Sequence, residues 1–300
     1  MKHALIVFNP ASGAGAAEFI LSDLLDWLQR EGWHTRTHRA ADQGNLSEAV
    51  HALLLDPANP IDLAVAVGGD GTVSAVGCAL LDTDIPLAIV PAGTGNVLAR
   101  SLGIPLDPVK SIMLIVGRHT LMELDGMQIG KSCHFLNVSI GFTAAVIHNT
   151  KPWGKRWFGY LAYVGAAVGR LLGVRQRWFR LALDGEESYP LATDIVLMNN
   201  AFVGFPRLRL GPEARLDDGV VEAYIFRAHT LLDYVWLLGY VLTGRQRRNR
   251  NLTWQQVTDS IRVDAIPPLP VQADGDPLGS TPVEIRVKPK AIRVMVPGRQ

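Results

Sequence analysis

A chain of 300 residues is about twice the usual size of one domain, so two domains are expected, each able to bury a core. With 48% apolar and 19% charged residues it is too hydrophobic to be disordered. Lys and Arg (29) against Asp and Glu (28) leave a formal charge of +1, so no global field attracts nucleic acid and an anionic partner must be held by a local site.

Cys78 and Cys133 lack metal-ligand spacing and are too few for a disulfide scaffold, which predicts a reducing compartment, the cytosol. The apolar run Ala4–Phe8 is cut off at once by Asn9 and Pro10, far short of a signal-peptide core, so export by that route is not expected. The greasiest stretch, 157–169, is shorter than the ~20 residues of a membrane-spanning helix, and no span is predicted.

In chain order, Ala4–Phe8 reads as a buried strand, and the spacing of Phe19, Leu24, Leu25 and Leu28 predicts an amphipathic helix ending near Gly32. Trp33–Arg39 alternates like a strand, Leu46–Leu55 repeats at helical spacing, and Ile61–Val67 is an apolar strand running into Gly68-Gly69. A helix over Val73–Leu81, a strand over Pro86–Val90 and a short helix over Val97–Leu102 come next. This β/α alternation predicts an α/β domain over 1–122 with a parallel sheet covered on both faces.

After about Leu121 the texture changes to short β-like runs, predicting a second, mostly-β, sandwich-like domain over 123–300. The runs are Ser132–Ile140, Arg180–Leu183, Thr193–Met198, Val220–Phe226, Ser260–Val263, Val283–Val287 and Ala291–Val296. Two helices interrupt them, at about Trp157–Leu172 and Leu231–Thr243. The second is followed by the basic run Arg245-Gln-Arg-Arg-Asn-Arg250.

Three strand ends of the α/β half run into turns of small residues: Asn9-Pro-Ala-Ser12-Gly13-Ala-Gly15, Gly68-Gly69-Asp70-Gly71-Thr72 and Pro91-Ala-Gly93-Thr94-Gly95-Asn96. In a parallel sheet such turns share the carboxyl edge, where ligands bind. Glycine lets backbone N–H groups approach an anion, Ser and Thr add hydroxyl donors, and helix N-termini add favourable dipoles, which together describe a phosphate-binding rim. They are neither the dinucleotide fingerprint nor a P-loop, and any one alone could be an ordinary tight βα turn. Asp70 points to chemistry: a carboxylate inside a phosphate-binding turn is repulsive unless a divalent cation lies between them, the mark of a Mg-nucleotide site.

Asp217-Asp218-Gly219 and Asp274-Gly275-Asp276 read by themselves as polar turns between strands. His34 and His38 share a strand face without a third ligand, and no Gly-x-Ser-x-Gly elbow occurs. The helix at 157–172, with Lys155, Arg156, Arg170 and Arg175 at its ends, and the arginine run could each touch anionic lipid or be a core helix and a solvated loop.

Together the three glycine turns, the continuation Leu98-Ala-Arg100 and Leu102-Gly-Ile-Pro105, and the two aspartate turns resemble the diacylglycerol kinase and sphingosine kinase superfamily, within it the soluble bacterial lipid kinases, over nearly the whole chain. The resemblance implies ATP in a cleft between an α/β and a mostly-β domain, a C-terminal strand (about 285–300) returning to the first domain, and a diacylglycerol-like hydroxyl as acceptor. Cofactors would be ATP and Mg²⁺; partners would be the lipid substrate and, transiently, the inner face of the membrane, with no nucleic acid.

The implied nucleotide contacts are Asn9, Ser12, Gly13, Gly68, Gly69, Asp70, Gly71, Thr72, Gly93, Thr94 and Asn96. Asp70 would also hold the catalytic Mg²⁺, through water. Asp276 would be the general base with Asp274 as runner-up, and a structural Mg²⁺ would sit on carbonyls of Arg215 and Val220 and the carboxylate of Asp218. The family pattern is broken at Ser74-Ala75, where Asn-Glu is usual, at Val97, where Asp is usual, and at Asp276, where Glu is usual. An aspartate base must lie closer to its substrate than a glutamate or work through a water. The competing readings are a kinase of a soluble acceptor, as in NAD kinases, and a non-catalytic nucleotide- or lipid-binding regulator.

Overall fold

The computed structural model describes residues 2–12, 16–40, 45–148, 175–199 and 215–298. The predicted helix at 157–172 and the candidate Gly13 lie outside them. The chain divides into two units, Met1–Gly126 with Pro289–Gln300, and Met127–Lys288.

The first unit alternates β1 (Lys2–Phe8), α1 (Ala16–Arg30), β2 (Trp33–Arg39), α2 (Leu46–Leu54), β3 (Leu63–Gly68), α3 (Asp70–Ala79), β4 (Leu87–Pro91), α4 (Val97–Ser101) and α5 (Pro108–Val116), and ends in β5 (His119–Ile129). The parallel order is β4-β3-β1-β2, and the last strand of the chain returns beside β4 with Val294 opposite Leu87. Every residue of β3 and β4 is buried, which is why these segments are continuous Val, Ala, Leu and Ile runs rather than alternating ones. β2, WHTRTHR, is the edge strand and is mostly exposed.

α1 forms where it was expected but rotated: Ala17, Ile20, Leu24 and Leu28 face the core, while Phe19 is 80% exposed. Steps of three and four residues from Ile20 follow the helical repeat, and Phe19 lies a ~100° turn off that line. α5 was missed. Its start is written in Asp107-Pro108, an N-cap carboxylate accepting the Lys110 N–H at 2.9 Å followed by proline at the first helical position.

The second unit contains β6 (Ser132–His134), β7 (Asn137–Gly141), α6 (Phe142–His148), β8 (Arg177–Leu183), β9 (Glu186–Ser188), β10 (Leu191–Ala192), β11 (Asp194–Met198), β12 (Val221–Phe226), α7 (Leu231–Leu242), β13 (Leu252–Val257), β14 (Ser260–Ala265), β15 (Pro270–Ala273), β16 (Asp276–Ser280) and β17 (Val283–Pro297). One antiparallel sheet runs β13-β12-β11-β7-β15-β16; facing it, β8 pairs with β14 and β14 with the first part of β17. Val138, Ile140, Ile195 and Leu197 of the first layer share one core with Phe179, Leu181, Ile261 and Ile285 of the second. This is the sandwich the alternating runs predict.

Two runs divide differently from expectation. Ser132–Ile140 is two strands, because the N–H groups of Phe135, Leu136 and Asn137 turn to a side-chain carboxylate instead of a neighbouring strand. Conversely, Val283–Val287 and Ala291–Val296 belong to a single strand, extended at Lys288 as a residue before proline prefers and kinked at left-handed Lys290, φ 52°. The chain passes between units within β5 and back within β17.

Candidate active site

The carboxyl ends of β1, β3 and β4 adjoin, so the described part of the first turn, Asn9–Ser12, and the second and third glycine turns follow neighbouring strands. Backbone bonds tie them to the sheet: the Asn9 N–H donates to Val67 O at 3.1 Å and the Ala92 N–H to Gly68 O at 2.9 Å. The Asn9 side-chain oxygen accepts the Ala11 N–H at 3.0 Å, closing the first turn on itself, with Ser12 half-buried beside it.

The second and third turns pack backbone against backbone. A Cβ at Gly93 would lie 2.5 Å from Gly69 Cα, and one at Gly95 would lie 2.8 Å from Asp70 Oδ2. Asp70 opens α3, and its Oδ1 accepts the Leu98 N–H at 3.2 Å, capping the first turn of α4. Part of the charge that suggested a cation is thus engaged by a helix N-terminus.

Thr72 is buried with its hydroxyl over Gly68, where a Cβ would meet it at 2.6 Å. Asn96 is also buried and left-handed, φ 50°; its Oδ1 accepts the Gly93 N–H at 3.0 Å while its amide donates to Gly93 O at 2.8 Å. That reciprocal pair occupies the Asn96 side chain and holds the shape of the turn. Arg100, absent from the candidates, donates its Nε–H to Gly95 O at 3.0 Å. Gly71, Thr94 and Gly95 are the exposed members of the second and third turns.

In the second unit, Asp274 and Gly275 form the two-residue hairpin between β15 and β16, with φ 49° and 94°. The Asp274 side chain is 2% exposed. It accepts three backbone N–H groups, those of Phe135, Leu136 and Asn137, each at 3.0 Å, and His134 Nδ1 lies 3.7 Å away, an ion-pair separation. Burial pushes this carboxyl up, but His134 and the N–H donors outweigh it and hold it below the ordinary carboxylate range. Buried Gln272 braces the hairpin, donating to Asn137 Oδ1 and Ser139 Oγ and accepting the Gly275 N–H. Asp276, two residues on, begins β16 and is exposed. The signal for this bracing was a polar residue inside the strand run Val271-Gln272-Ala273.

Asp184 repeats the device: left-handed, followed by Gly185, it accepts the N–H groups of Thr258, Asp259 and Ser260. In both hairpins the aspartate before glycine holds a neighbouring loop.

Around the third motif, the Arg215 guanidinium forks onto both oxygens of Asp217, at 2.9 and 3.0 Å. Exposed Asp218 accepts the Val220 N–H at 3.1 Å through Oδ1. Among the described residues no three His, Cys, Asp or Glu side chains are grouped to hold a metal. The carbonyls of Arg215 and Val220 and the carboxylate of Asp218 are nonetheless an all-oxygen set suited to a hard cation.

A further buried group has no counterpart among the candidates. Asp194 is 3% exposed, its Oδ2 accepts the Thr143 N–H and hydroxyl, and its Oδ1 has no hydrogen-bond partner among the described residues. Burial pushes its carboxyl up to about 7, against the opposing pull of Thr143.

Residues 3–129 match the diacylglycerol kinase catalytic domain family, and residues 137–296 match the YegS C-terminal NAD kinase beta sandwich-like domain. Diacylglycerol kinase of Bacillus subtilis (strain 168) is 27% identical over 301 residues, covering 99% of this chain and 97% of that protein. Diacylglycerol kinase of Mycobacterium tuberculosis is 29% identical over 300 residues, covering 96% and 93%. A diacylglycerol kinase structure from Bacillus anthracis str. Sterne shares the fold with a TM-score of 0.70 at 17% identity, covering 98% of this chain and 97% of that one. With both units accounted for in order, the chain belongs to the diacylglycerol kinase family of lipid kinases.

Proposed function

We propose that this chain transfers the γ-phosphate of ATP, with Mg²⁺, to the hydroxyl of a diacylglycerol-like lipid. The observation that carries the reading is the rim itself: three small-residue turns at the ends of adjoining parallel strands, in a chain of lipid-kinase family. Phosphoryl transfer asks little covalent work of a protein; it needs the phosphate positioned, its charge met and the attacking hydroxyl oriented.

The exposed Gly71, Thr94 and Gly95 offer N–H and hydroxyl donors to the phosphates. Asn9, Ser12, Gly68, Gly69, Thr72, Gly93 and Asn96 hold the turns in the shape that presents those donors. A divalent cation on the phosphates would neutralise their charge, and Asp70 is the rim carboxylate that would hold it. Asp276, exposed at the start of β16, accepts the proton of the lipid hydroxyl, and Asp274 fixes the hairpin that carries it. A second, structural cation would sit on Arg215, Asp218 and Val220. Cytosolic placement with transient contact at the inner membrane face accords with this acceptor, and among the described residues no helix is long and apolar enough to cross a membrane.

The test is transfer from γ-labelled ATP to diacylglycerol, monoacylglycerol, ceramide, sphingosine and phosphatidylglycerol in mixed micelles, with NAD as the soluble comparison. Labelled diacylglycerol product supports the reading. Label only in NAD, or in none despite ATP binding, refutes it.

A further inference from the structure

α7 is apolar on both faces. Its inner side buries Leu237 and Val241 against Met198, Tyr224 and Leu252, and the Tyr234 ring lies 6.2 Å from Phe142. Its outer side carries Leu232, Val235, Trp236 and Leu242, each 58–65% exposed, with Leu238 at its margin. Positions 232, 235, 236 and 242 repeat at three, one and six residues, a single helical stripe. Helices apolar all round are normally covered on both sides. A capping box anchors the N-terminus, with the Thr230 side chain and Asp233 exchanging hydrogen bonds, so the exposed stripe belongs to a well-formed helix.

The segment after the helix identifies the cover. Between residues 234 and 258 there are four arginines and no carboxylate. Arg245, Arg247, Arg248 and Arg250 are exposed on a 3₁₀ turn whose Gln246 and Asn249 are buried and fix it in place. Arg247 lies over the Trp254 ring at 5.7 Å, leaving the other three free of that contact. Asp233, in the first turn of the helix, is taken up by the Thr230 N–H and the Asn251 amide.

We propose that the outer stripe of α7 and the arginine turn together dock this protein on an anionic bilayer, with α7 lying in the interface. Twelve residues of helix span about 18 Å, well short of a hydrocarbon core of ~30 Å, so the helix lies along the membrane and does not cross it. The aliphatic and indole side chains enter the acyl boundary while the arginines meet lipid phosphates, the division of labour of an interfacial helix. Each free arginine contributes about fivefold to partitioning, so the three together contribute about a hundredfold. The surface rests on no assumption about the phosphorylated hydroxyl, and its test uses no ATP, so either reading can fail without the other.

The full chain is to be sedimented with vesicles of phosphatidylglycerol or of phosphatidylcholine at physiological salt. Binding at least tenfold tighter to phosphatidylglycerol is expected. It should fall at least tenfold in Arg245→Gln/Arg248→Gln/Arg250→Gln and again in Leu232→Ser/Trp236→Ser, with folding checked by circular dichroism. In the conservative variant Trp236→Phe, quenching of tryptophan emission by brominated phosphatidylglycerol should drop relative to the parent while binding persists. Equal binding to both vesicles, no binding, or binding and quenching untouched by these changes overturns the proposal. So does a lipid-free dimer that Leu232→Ser/Trp236→Ser dissociates, which would assign the stripe to a second copy of the chain.

Discussion

The Asp70 carboxylate accepts the Leu98 N–H at 3.2 Å, so the second glycine turn caps the helix that follows the third. That contact fixes the relation of two turns, and under the proposed function the same side chain also presents negative charge at the rim. Asp70→Asn keeps an acceptor for Leu98 while removing the charge. It should lower kcat at least a hundredfold with less than about 1 kcal/mol of stability lost, whereas Asp70→Ala should lose about 1 kcal/mol more with the cap. Thermal unfolding beside steady-state kinetics separates the two jobs; equal destabilisation by both variants would remove the capping role.

Gly93 and Gly69 touch through their backbones, which gives glycine at 93 a packing reason independent of any nucleotide. Gly93→Ala must push the two turns apart, costing about 1–3 kcal/mol, and should raise KM for ATP more than tenfold. Gly103→Ala is the control: φ is +69° but open space surrounds the site, so the expected cost is about 1 kcal/mol with KM unchanged. Isothermal titration with a non-hydrolysable ATP analogue checks the difference.

Asp274 and Asp276 are two residues apart and should behave oppositely. Removing the Asp274 carboxylate strands three N–H donors, so Asp274→Ala should cost on the order of 3 kcal/mol or more. Because its carboxyl is held below its unfolded value, this stabilisation is present above about pH 4 and lost as pH falls through the native value. Asp276→Ala should leave the unfolding midpoint within about a degree while abolishing transfer. A loss of stability on Asp276→Ala comparable to that of Asp274→Ala would contradict the division of roles.

Asp194 runs in the other direction. Its carboxyl is raised to about 7 when folded, against about 3.9 unfolded, so the native state holds the extra proton between those values and stability falls as pH rises through that window. Asp194→Asn removes the slope and leaves an oxygen for the Thr143 N–H. Relative to the parent, the variant should gain about 3 kcal/mol between pH 5 and pH 8 in urea unfolding. A pH-independent difference would show that Asp194 ionises freely in the fold.

The fold class was legible because its strongest signals are local. β3 and β4 are unbroken apolar runs, ending in Gly68 and Pro91, and β12 and β14 are short runs bounded by turns. The features that escaped depend on distant partners. The break at Phe135 and Leu136 is made by Asp274, 139 positions from Phe135. Phe19 looked like a core residue because large and apolar is only half the criterion; its angle around α1 was the other half. That the second and third glycine turns follow strands of one parallel sheet was readable, but the contact of Gly69 with Gly93 arises from β3 lying beside β4, which no spacing encodes. Asp194 comes after a threonine at a strand start and gave no sign that it would be buried with one oxygen lacking a partner among the described residues.

The most direct test of the central claim is a single-turnover assay with γ-labelled ATP, Mg²⁺ and diacylglycerol micelles, run on the parent chain and Asp276→Ala at matched ATP occupancy. The account predicts labelled lipid from the parent and a loss of at least a thousandfold in the variant, with ATP affinity unchanged. Transfer surviving in the variant, or no labelled lipid from the parent with ATP bound, would contradict it.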